Sequence, residues 1–212
     1  MGDEGNTEGV TPGRRSILAG IGGTFAGLGA VQTASGQEEP EWPVGGPDEV
    51  DYTRHQVIAD DSGTIELSVP TAWDDVDATP VGIGPSVWAS PDIEGYVNSW
   101  VVPGIEVTVT TEARIVENEP DEVLDTFADF EMDCVDGGRQ RFDSRGYEFL
   151  AQTWAACGDD GTMFVAMVAT PETDPPHTVL VGAQLVTVQD VVALSAASGS
   201  LEVDTDELKA ES

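Results

Sequence analysis

The charge of this chain constrains its fold and its setting more than any other feature of the sequence. Its 212 residues include 40 Asp and Glu but only 8 Lys and Arg, which gives a formal net charge of −32 at pH 7. Hydrophobic residues still make up 40% of the chain, which is enough for one packed core. Phosphate would be repelled by such a surface, so the composition excludes a general nucleic-acid-binding function.

The first 36 residues are typical of an export signal. Arg14 and Arg15 are followed by Ile17-Leu18 and by a Gly- and Ala-rich apolar run. This arrangement resembles a twin-arginine signal, which directs proteins that are exported in folded form. An Ala-Ser-Gly sequence predicts cleavage before Gln37, and the alternative is that the segment is retained as an N-terminal anchor. Glycines make the apolar run of this signal only moderately hydrophobic, so the run is a poor membrane span. We expect no stable membrane span once the signal has been cleaved.

The charge that remains after cleavage predicts a protein adapted to high salt. The chain then has 6 basic and 37 acidic residues, a net charge of −31, and Lys209 is its only lysine. Repulsion among these acids would destabilise a compact state at low ionic strength. At molar salt the screening length falls to about 3 Å and the repulsion largely disappears. The composition resembles that of proteins from halophilic archaea, and the alternative is an acidic protein from ordinary salt.

The two cysteines agree with export. Cys134 and Cys157 are 23 positions apart. An even number of cysteines in an exported chain predicts a disulfide bond, and two buried free thiols are the alternative. A zinc site is disfavoured, because the sequence has no second cysteine pair and no histidine near these two.

Composition divides the rest of the chain into three segments. Residues 37–51 are rich in Pro, Gly and acid and are predicted to be a flexible linker. Within it, Trp42 is a candidate exposed aromatic residue, a type that often marks partner surfaces. Residues 52–203 have the length of one folded domain. Residues 204–212 are predicted to be an acidic, frayed tail.

Apolar periodicity predicts strands and amphipathic helices in alternating groups within the domain. The predicted strands cover 54–59, 64–69, 81–89, 105–111, 132–135, 147–156, 162–169 and 177–186. Three helices are predicted: the first begins at Ser90-Pro91-Asp92, the second covers 120–130 and the third covers 188–201. The side chains of the third helix that are expected to face inward are Val191, Val192, Leu194 and Ser195. Short turns link most strands. The expected fold is therefore α+β, with a single, largely antiparallel sheet covered by two or three helices.

The end of the second predicted strand carries a family resemblance. Val69-Pro70 followed by Trp73 is similar to the Mog1/PsbP-like family, whose domains are antiparallel sheets covered by helices. The Ser-Pro-Asp-Ile helix start, the two cysteines around a hairpin and the final Leu-Val-Thr strand also resemble small domains of secreted bacterial proteins. Some of those domains are attached behind trypsin-like proteases. The resemblance implies a fold but no shared catalytic residues.

The sequence has no recognised catalytic constellation. Its two histidines, His55 and His177, lie at the starts of predicted strands, where we expect both to be exposed. No Gly-x-Ser-x-Gly nucleophile motif and no P-loop occurs. Paired carboxylates are uninformative in a chain with this many acids. We therefore expect no enzymatic activity and no cofactor.

Two acidic turns are weak candidates for calcium ligands. They contain Asp60-Asp61 and Asp159-Asp160. Neither turn matches the twelve-residue calcium loop, so solvated turns are the favoured interpretation.

Three arginines form a basic cluster in an otherwise acidic chain. Arg139, Arg141 and Arg145 are half of the basic residues after the signal and lie between the two cysteines. Guanidinium groups bind carboxylate and phosphate well, so these residues are candidates for an anion or acidic-partner site. The favoured alternative is ion pairing with acids that are close in sequence, namely Glu131, Asp133, Asp136 and Asp143.

These observations favour a non-enzymatic exported domain that acts in binding or assembly, at the cell surface or outside the cell. Its partner would be a protein or a small ligand that the sequence does not identify. The alternatives are a secreted hydrolase or an accessory domain of one, and a structural domain stabilised by calcium or salt.

Overall fold

The structure is a computed structural model that describes residues 52–127, 134–158 and 161–211. The signal and linker predicted at 1–36 and 37–51 lie outside these residues. The strands are β1 (His55–Ala59), β2 (Ile65–Pro70), β3 (Asp75–Asp77), β4 (Ser86–Ser90), β5 (Gly104–Thr110), β6 (Val135–Ser144), β7 (Tyr147–Cys157), β8 (Thr162–Ala169), β9 (Thr178–Leu185) and β10 (Glu202–Val203). The helices are α1 (Ile93–Asn98), α2 (Ala113–Val116), α3 (Pro120–Phe127), α4 (Val188–Ser200) and α5 (Thr205–Glu211).

Seven strands form the larger of two sheets. Their order is β3-β4-β5-β9-β8-β7-β6, and each described pairing between neighbours is antiparallel. Every residue of the central strands β5 and β9 is buried. These strands are rich in Val and other residues that fit a pleated surface packed on both faces. The predicted α+β class with antiparallel pairing is confirmed.

Three further strands form a smaller sheet in the order β1-β2-β10. A turn joins β1 to β2, with the Asp60 amide donating to the Ile65 carbonyl at 3.2 Å. The other edge of β2 is occupied by β10 and by Ser200 Oγ, which accepts from the Ser68 amide at 2.8 Å. Since both edges of β2 are occupied, this strand does not join the larger sheet. The strands therefore divide into two sheets, where the sequence predicted one.

The smaller sheet and α4 cover one face of the larger sheet. Their shared core includes Leu67 and Trp73 from the smaller-sheet region, Leu194 from α4, and Val107 and Val181 from the larger sheet. Trp73 is fully buried, so the residue that carries the family resemblance is a core residue.

Helices α2 and α3 cover the opposite face of the larger sheet. Ile115 on α2 and Val123 and Leu124 on α3 pack with Val168 and Leu180 from the central strands. The predicted helix over 120–130 is α3 as far as residue 127, and its remaining positions lie outside the described residues. Among the described residues, no helix has the length and apolar character that crossing a membrane would require.

Helix α4 matches its predicted bounds to within one residue, but its inward face differs. Leu194 is buried as predicted, whereas Val192 is 61% exposed. Ala193 and Ala197 occupy inward positions. Their small side chains allow the helix to lie close to β2, and this turns Val192 toward solvent.

Helix α1 begins after Asp92 and not after Ser90. The Asp92 carboxylate accepts from the Gly95 amide at 3.0 Å, which is an N-cap contact. Ser90 Oγ accepts a hydrogen bond from the Asp92 amide at 3.0 Å, so Ser90 holds the capping residue in place from two positions earlier in the chain. The helix ends at Asn98, before Trp100.

Strand β6 differs most from its prediction. The sequence predicts a strand at 132–135, but β6 begins at Val135 and continues to Ser144. Its sequence lacks apolar alternation because β6 is the edge strand of the larger sheet and is exposed along most of its length.

The folded domain extends beyond Val203. Residues from Thr205 onward form α5, where the sequence predicts a frayed tail. Leu208 on this helix is buried in the core beside the smaller sheet and α4. One apolar residue among acids is too weak a pattern to indicate a helix from sequence, but it is sufficient to anchor one.

Candidate functional site

Arg139 links the edge strand β6 to helix α3. It donates to Asp121 at 3.1 Å and to Asp125 at 2.5 Å, both on α3. Its Nε donates to Gln152 Oε1 on β7 at 2.7 Å. Burial lowers the pKa of Arg139, but its bonds to the two carboxylates outweigh this effect and raise the pKa overall.

Arg141 and Arg145 are also bound to carboxylates. Arg141 donates to Glu148 at 2.8 Å and to Asp121 at 3.0 Å. Arg145 donates to Glu202 on β10. The structure therefore brings Arg139 and Arg141 together through Asp121, while Arg145 connects the β6–β7 hairpin to the smaller sheet.

In the described residues, the acids that bind these arginines are Asp121, Asp125, Glu148 and Glu202, and not Asp136 or Asp143. Glu131 and Asp133 lie outside the described residues. Asp136 accepts from the Gly138 amide at 2.6 Å and from Gln152 Nε2 at 2.5 Å. Asp143 lies opposite Glu148 in the β6–β7 pairing. The arginines instead bind acids on α3, β7 and β10, elements whose placement the local sequence of β6 does not specify.

The arrangement favours ion pairing over an anion site. Each of the three guanidinium groups already binds one or more carboxylates, and a phosphate or carboxylate ligand would have to displace them. Solvent-exposed pairs of this kind contribute little each to stability. Their effect is to hold the β6–β7 hairpin against α3 and β10.

The disulfide bond joins the start of β6 to the end of β7. Cys134 and Cys157 are bonded with an S–S distance of 2.04 Å, which confirms the predicted pair. The bond lies beside the pairing of Val135 with Ala155, at the end of the β6–β7 hairpin that is opposite its turn. Cys157 is fully buried in the core under α2 and α3. The bond therefore fixes one end of an exposed edge strand to the core.

A buried carboxylate at the start of α4 is the polar centre that the sequence analysis missed. Asp190 accepts from the Val186 amide at 2.9 Å, from the Thr187 amide at 2.6 Å and from the Thr187 hydroxyl at 3.0 Å. These contacts form a capping box with Thr187. Its other oxygen accepts from the hydroxyl of Tyr52, and the Trp73 indole donates to that hydroxyl at 3.4 Å.

This network joins the first described residue of the chain to helix α4. Burial raises the pKa of Asp190, and hydrogen bonds from Tyr52, Thr187 and Val186 oppose that rise. Burial and the neighbouring carboxylate raise the pKa of Tyr52, so its hydroxyl remains a donor. The Thr-x-x-Asp spacing before an apolar run was the sequence signal that could have identified Asp190.

One of the two calcium-candidate turns lies in the described part of the chain. The carboxylate of Asp60 accepts from the Ser62 amide at 2.9 Å and the Ile65 amide at 2.6 Å, so it closes the β1–β2 turn. Asp61 donates its amide to the Ala78 carbonyl at 3.2 Å. Asp159 and Asp160 lie outside the described residues. Within the described ranges, no group of three or more potential metal ligands comes together.

The two histidines occupy different environments. His55 is exposed at the start of β1, as expected, whereas His177 is fully buried, contrary to expectation. Its Nδ1 lies 3.1 Å from Thr173 Oγ1 and 3.2 Å from the Pro175 carbonyl, so the loop before β9 folds over the ring. Burial lowers the pKa of His177, which keeps the ring neutral.

The open clefts in the described part of the structure include two with acidic linings. The larger, of about 680 Å³, lies between α2–α3, the β6–β7 hairpin and the β8–β9 loop, and Glu117, Glu119, Glu148 and Arg141 line it. The smaller, of about 390 Å³, lies beside β10 and is also acidic. Neither is lined by a histidine or a cysteine, the residue types most typical of nucleophilic catalysis.

Comparison with known proteins gives no family assignment. No family model matches the chain, and no curated protein matches it. Among solved structures, the chain is similar to the solution structure of cyanobacterial PsbP (CyanoP) from Synechocystis sp. PCC 6803. The identity is 16% and the TM-score 0.38, over 76% of this chain and 99% of that chain. The fold class stated above depends on the strand pairing and helices of this protein itself.

Proposed function

We propose that this chain is an exported, non-enzymatic domain that acts in binding or assembly in high salt, at the cell surface or outside the cell. The observation that carries the proposal is the charge. The part of the chain that follows the twin-arginine-like segment has 37 acidic residues and only 6 basic ones. An acidic surface of this kind is compatible with a compact fold where salt screens the repulsion among its carboxylates, and it destabilises the fold in dilute solution.

Two structural features support this proposal. The disulfide bond between Cys134 and Cys157 suits an oxidising compartment outside the cytosol. The described arginines of the β6–β7 hairpin are used in ion pairs that connect structural elements, which is a stabilising use of scarce positive charge. Both features would help a domain to stay folded outside the cell.

The non-enzymatic part of the proposal depends on the placement of the candidate catalytic residues. Buried His177 contacts Thr173 and a carbonyl, and exposed His55 lies at the end of a strand. Within the described ranges, no hydrogen bond joins either histidine to a Ser or Cys side chain of the kind that a hydrolase triad requires. A partner protein or a small ligand is therefore favoured over a substrate.

Replacing both signal arginines by lysine is expected to abolish export. An Arg14→Lys/Arg15→Lys variant keeps the charge of the segment but removes the guanidinium pair that defines a twin-arginine signal. We expect the protein to accumulate in the cytosol, untrimmed, while an Arg54→Lys control is exported like wild type. Cell fractionation and intact-mass measurement provide the readout. Normal export of the double variant would contradict the proposed route.

The hydrolase alternative is tested on the same exported material. Ester, peptide and glycoside substrates are offered to the wild-type protein in molar salt, and a folded His177→Ala variant serves as the comparison. Turnover that is lost in this variant would replace the binding proposal with an enzymatic one. Co-purification with a protease from the same cells would favour the accessory-domain alternative.

A further inference from the structure

The loop between β8 and β9, residues 170–177, encloses the ring of its own last residue. That residue, His177, is fully buried, whereas residues 172–174 of the same loop are exposed. His177 Nδ1 lies 3.2 Å from the Pro175 carbonyl and 3.1 Å from Thr173 Oγ1. The ring is therefore held in place by contacts with the loop that covers it.

One nitrogen of this ring is buried without a hydrogen-bond partner. The Pro175 carbonyl can only accept, so Nδ1 of His177 carries the hydrogen and Nε2 is a bare acceptor. No donor reaches Nε2 from the described residues. A proton added at Nε2 would place both an N–H group without an acceptor and a positive charge in the core, and both are costly there.

The described groups around the ring supply no counter-charge. From β7, the Tyr147 ring contacts His177 edge-on with centroids 6.3 Å apart, and burial raises the pKa of the Tyr147 hydroxyl, so it stays neutral. The acids of the loop, Glu172 and Asp174, are exposed, and in the described part of the chain no ion pair joins His177 to a carboxylate. Burial therefore dominates and lowers the pKa of His177, although the hydrogen bond to the Pro175 carbonyl opposes this effect.

The same loop forms part of the wall of the larger cleft. Residues 170–173 line that cleft, and the Thr173 hydroxyl is also the group that contacts His177 Nδ1. At the base of the loop, Thr170 Oγ1 lies 3.3 Å from Thr178 Oγ1, a contact that does not involve the ring. Exposed loops of this kind open locally at a lower free energy than the unfolding of the whole domain requires. The state of His177 can therefore change the cleft wall while the sheet stays intact.

We propose that His177 is a pH-sensitive switch, which keeps the β8–β9 loop closed while its ring is neutral and releases the loop when the ring binds a proton. In the open loop the charged ring is hydrated, and the exposed acids Glu172 and Asp174 lie near it in sequence. Because residues 170–173 line the larger cleft, acidification changes the shape of that cleft. The inference concerns this chain alone and does not depend on export or on the proposed partner.

The direction of the pH effect follows from the coupling between protonation and opening. A histidine in solvent titrates at about pH 6.5, and the enclosed ring has a lower pKa than that. The closed loop is therefore fully favoured above about pH 6.5, and opening increases up to about tenfold for each pH unit below it, until the enclosed ring also binds a proton.

The test measures how fast diethyl pyrocarbonate modifies the two histidines of the chain in molar KCl. This reagent acylates a neutral imidazole that it can reach, and mass spectrometry of the peptides separates the two sites. His55 is exposed, so the ratio of the His177 rate to the His55 rate removes the effect of pH on the reagent and reports the exposure of the enclosed ring. We expect this ratio to rise several-fold, up to about tenfold, between pH 7.5 and pH 5.5. Circular dichroism at both pH values measures whether the domain stays folded.

A His177→Asn variant is the matched control for movement of the loop. Asparagine keeps a donor near the position of Nδ1 but cannot become charged. Hydrogen exchange of the amides in residues 170–177 is compared between wild type and variant at the same pH, so that the intrinsic pH dependence of exchange cancels. The wild-type rate divided by the variant rate should rise as the pH falls from 7.5 to 5.5. If the asparagine variant does not fold, His177→Gln allows the same comparison.

Three results would overturn the proposal. The first is a ratio of histidine modification rates that does not change with pH. The second is a rise in that ratio that coincides with loss of the folded circular dichroism signal, because the domain would then unfold as a whole. The third is loop exchange that has the same pH dependence in wild type and in the asparagine variant.

Discussion

An Asp190→Ala variant is expected to be about 3 kcal/mol less stable toward unfolding than wild type. The carboxylate of Asp190 is buried and accepts from the amides of Val186 and Thr187 and from the hydroxyls of Thr187 and Tyr52. Alanine leaves these partly buried donors without an acceptor and also removes the capping box of α4. Urea denaturation in molar salt, followed by circular dichroism, measures the change.

Two further variants separate the network from a general charge effect. Asp190→Asn keeps one acceptor oxygen of similar shape, so its loss of stability should be clearly smaller than that of Asp190→Ala. Asp206→Ala removes a highly exposed acid from α5 and should leave stability nearly unchanged. An Asp190→Ala protein that unfolds at the wild-type urea concentration would show that the network does not anchor α4.

Removing the disulfide bond is the other change with a large expected effect. A Cys134→Ser/Cys157→Ser variant should lose about 3 kcal/mol, because the open loop gains conformational freedom in the unfolded chain. The native hairpin also depends on the bond, since β6 is an edge strand with most of its residues exposed. Urea denaturation of the variant in molar salt gives the magnitude.

Chemical reduction of the wild-type protein is the control for this pair. Reduced wild type and the double serine variant should unfold at the same urea concentration, and both should do so before oxidised wild type. Without reductant, mass spectrometry of the exported protein should show a peptide pair linked through the two cysteines. Two freely alkylated thiols, or a variant as stable as oxidised wild type, would contradict this account.

The strands packed on both faces are among those that sequence analysis located well. The predicted 162–169 coincides with β8, and the predictions for β5 and β9 differ by one residue at each end. Their runs of Val, Ile and Ala are sufficient to indicate buried strands. Strand β6 lacks such a pattern because it is an exposed edge strand. The two-residue β10 lacks it because its position is set by β2, which is distant in sequence.

The candidate site was predictable in its residue types but not in its contacts. The disulfide pair follows from an even cysteine count in a chain that its sequence predicts to be exported. The partners of Arg139 depend on where α3 lies against the sheet, and no local pattern specifies that. The burial of His177 depends on how the loop before β9 folds over its ring. Only Asp190 had a sequence signal, the capping-box spacing from Thr187, that a closer analysis could have used.

We propose that salt screening of the acidic coat allows this domain to remain compact. Glu66 and Glu202 lie directly opposite each other in the β2–β10 pairing, and Arg145, which binds Glu202, offsets only one of the two negative charges. Thermal unfolding of the exported protein, measured from dilute buffer to molar KCl, tests the claim most directly. We predict that the melting temperature rises steeply over this range. A melting temperature that does not change with salt would contradict the claim.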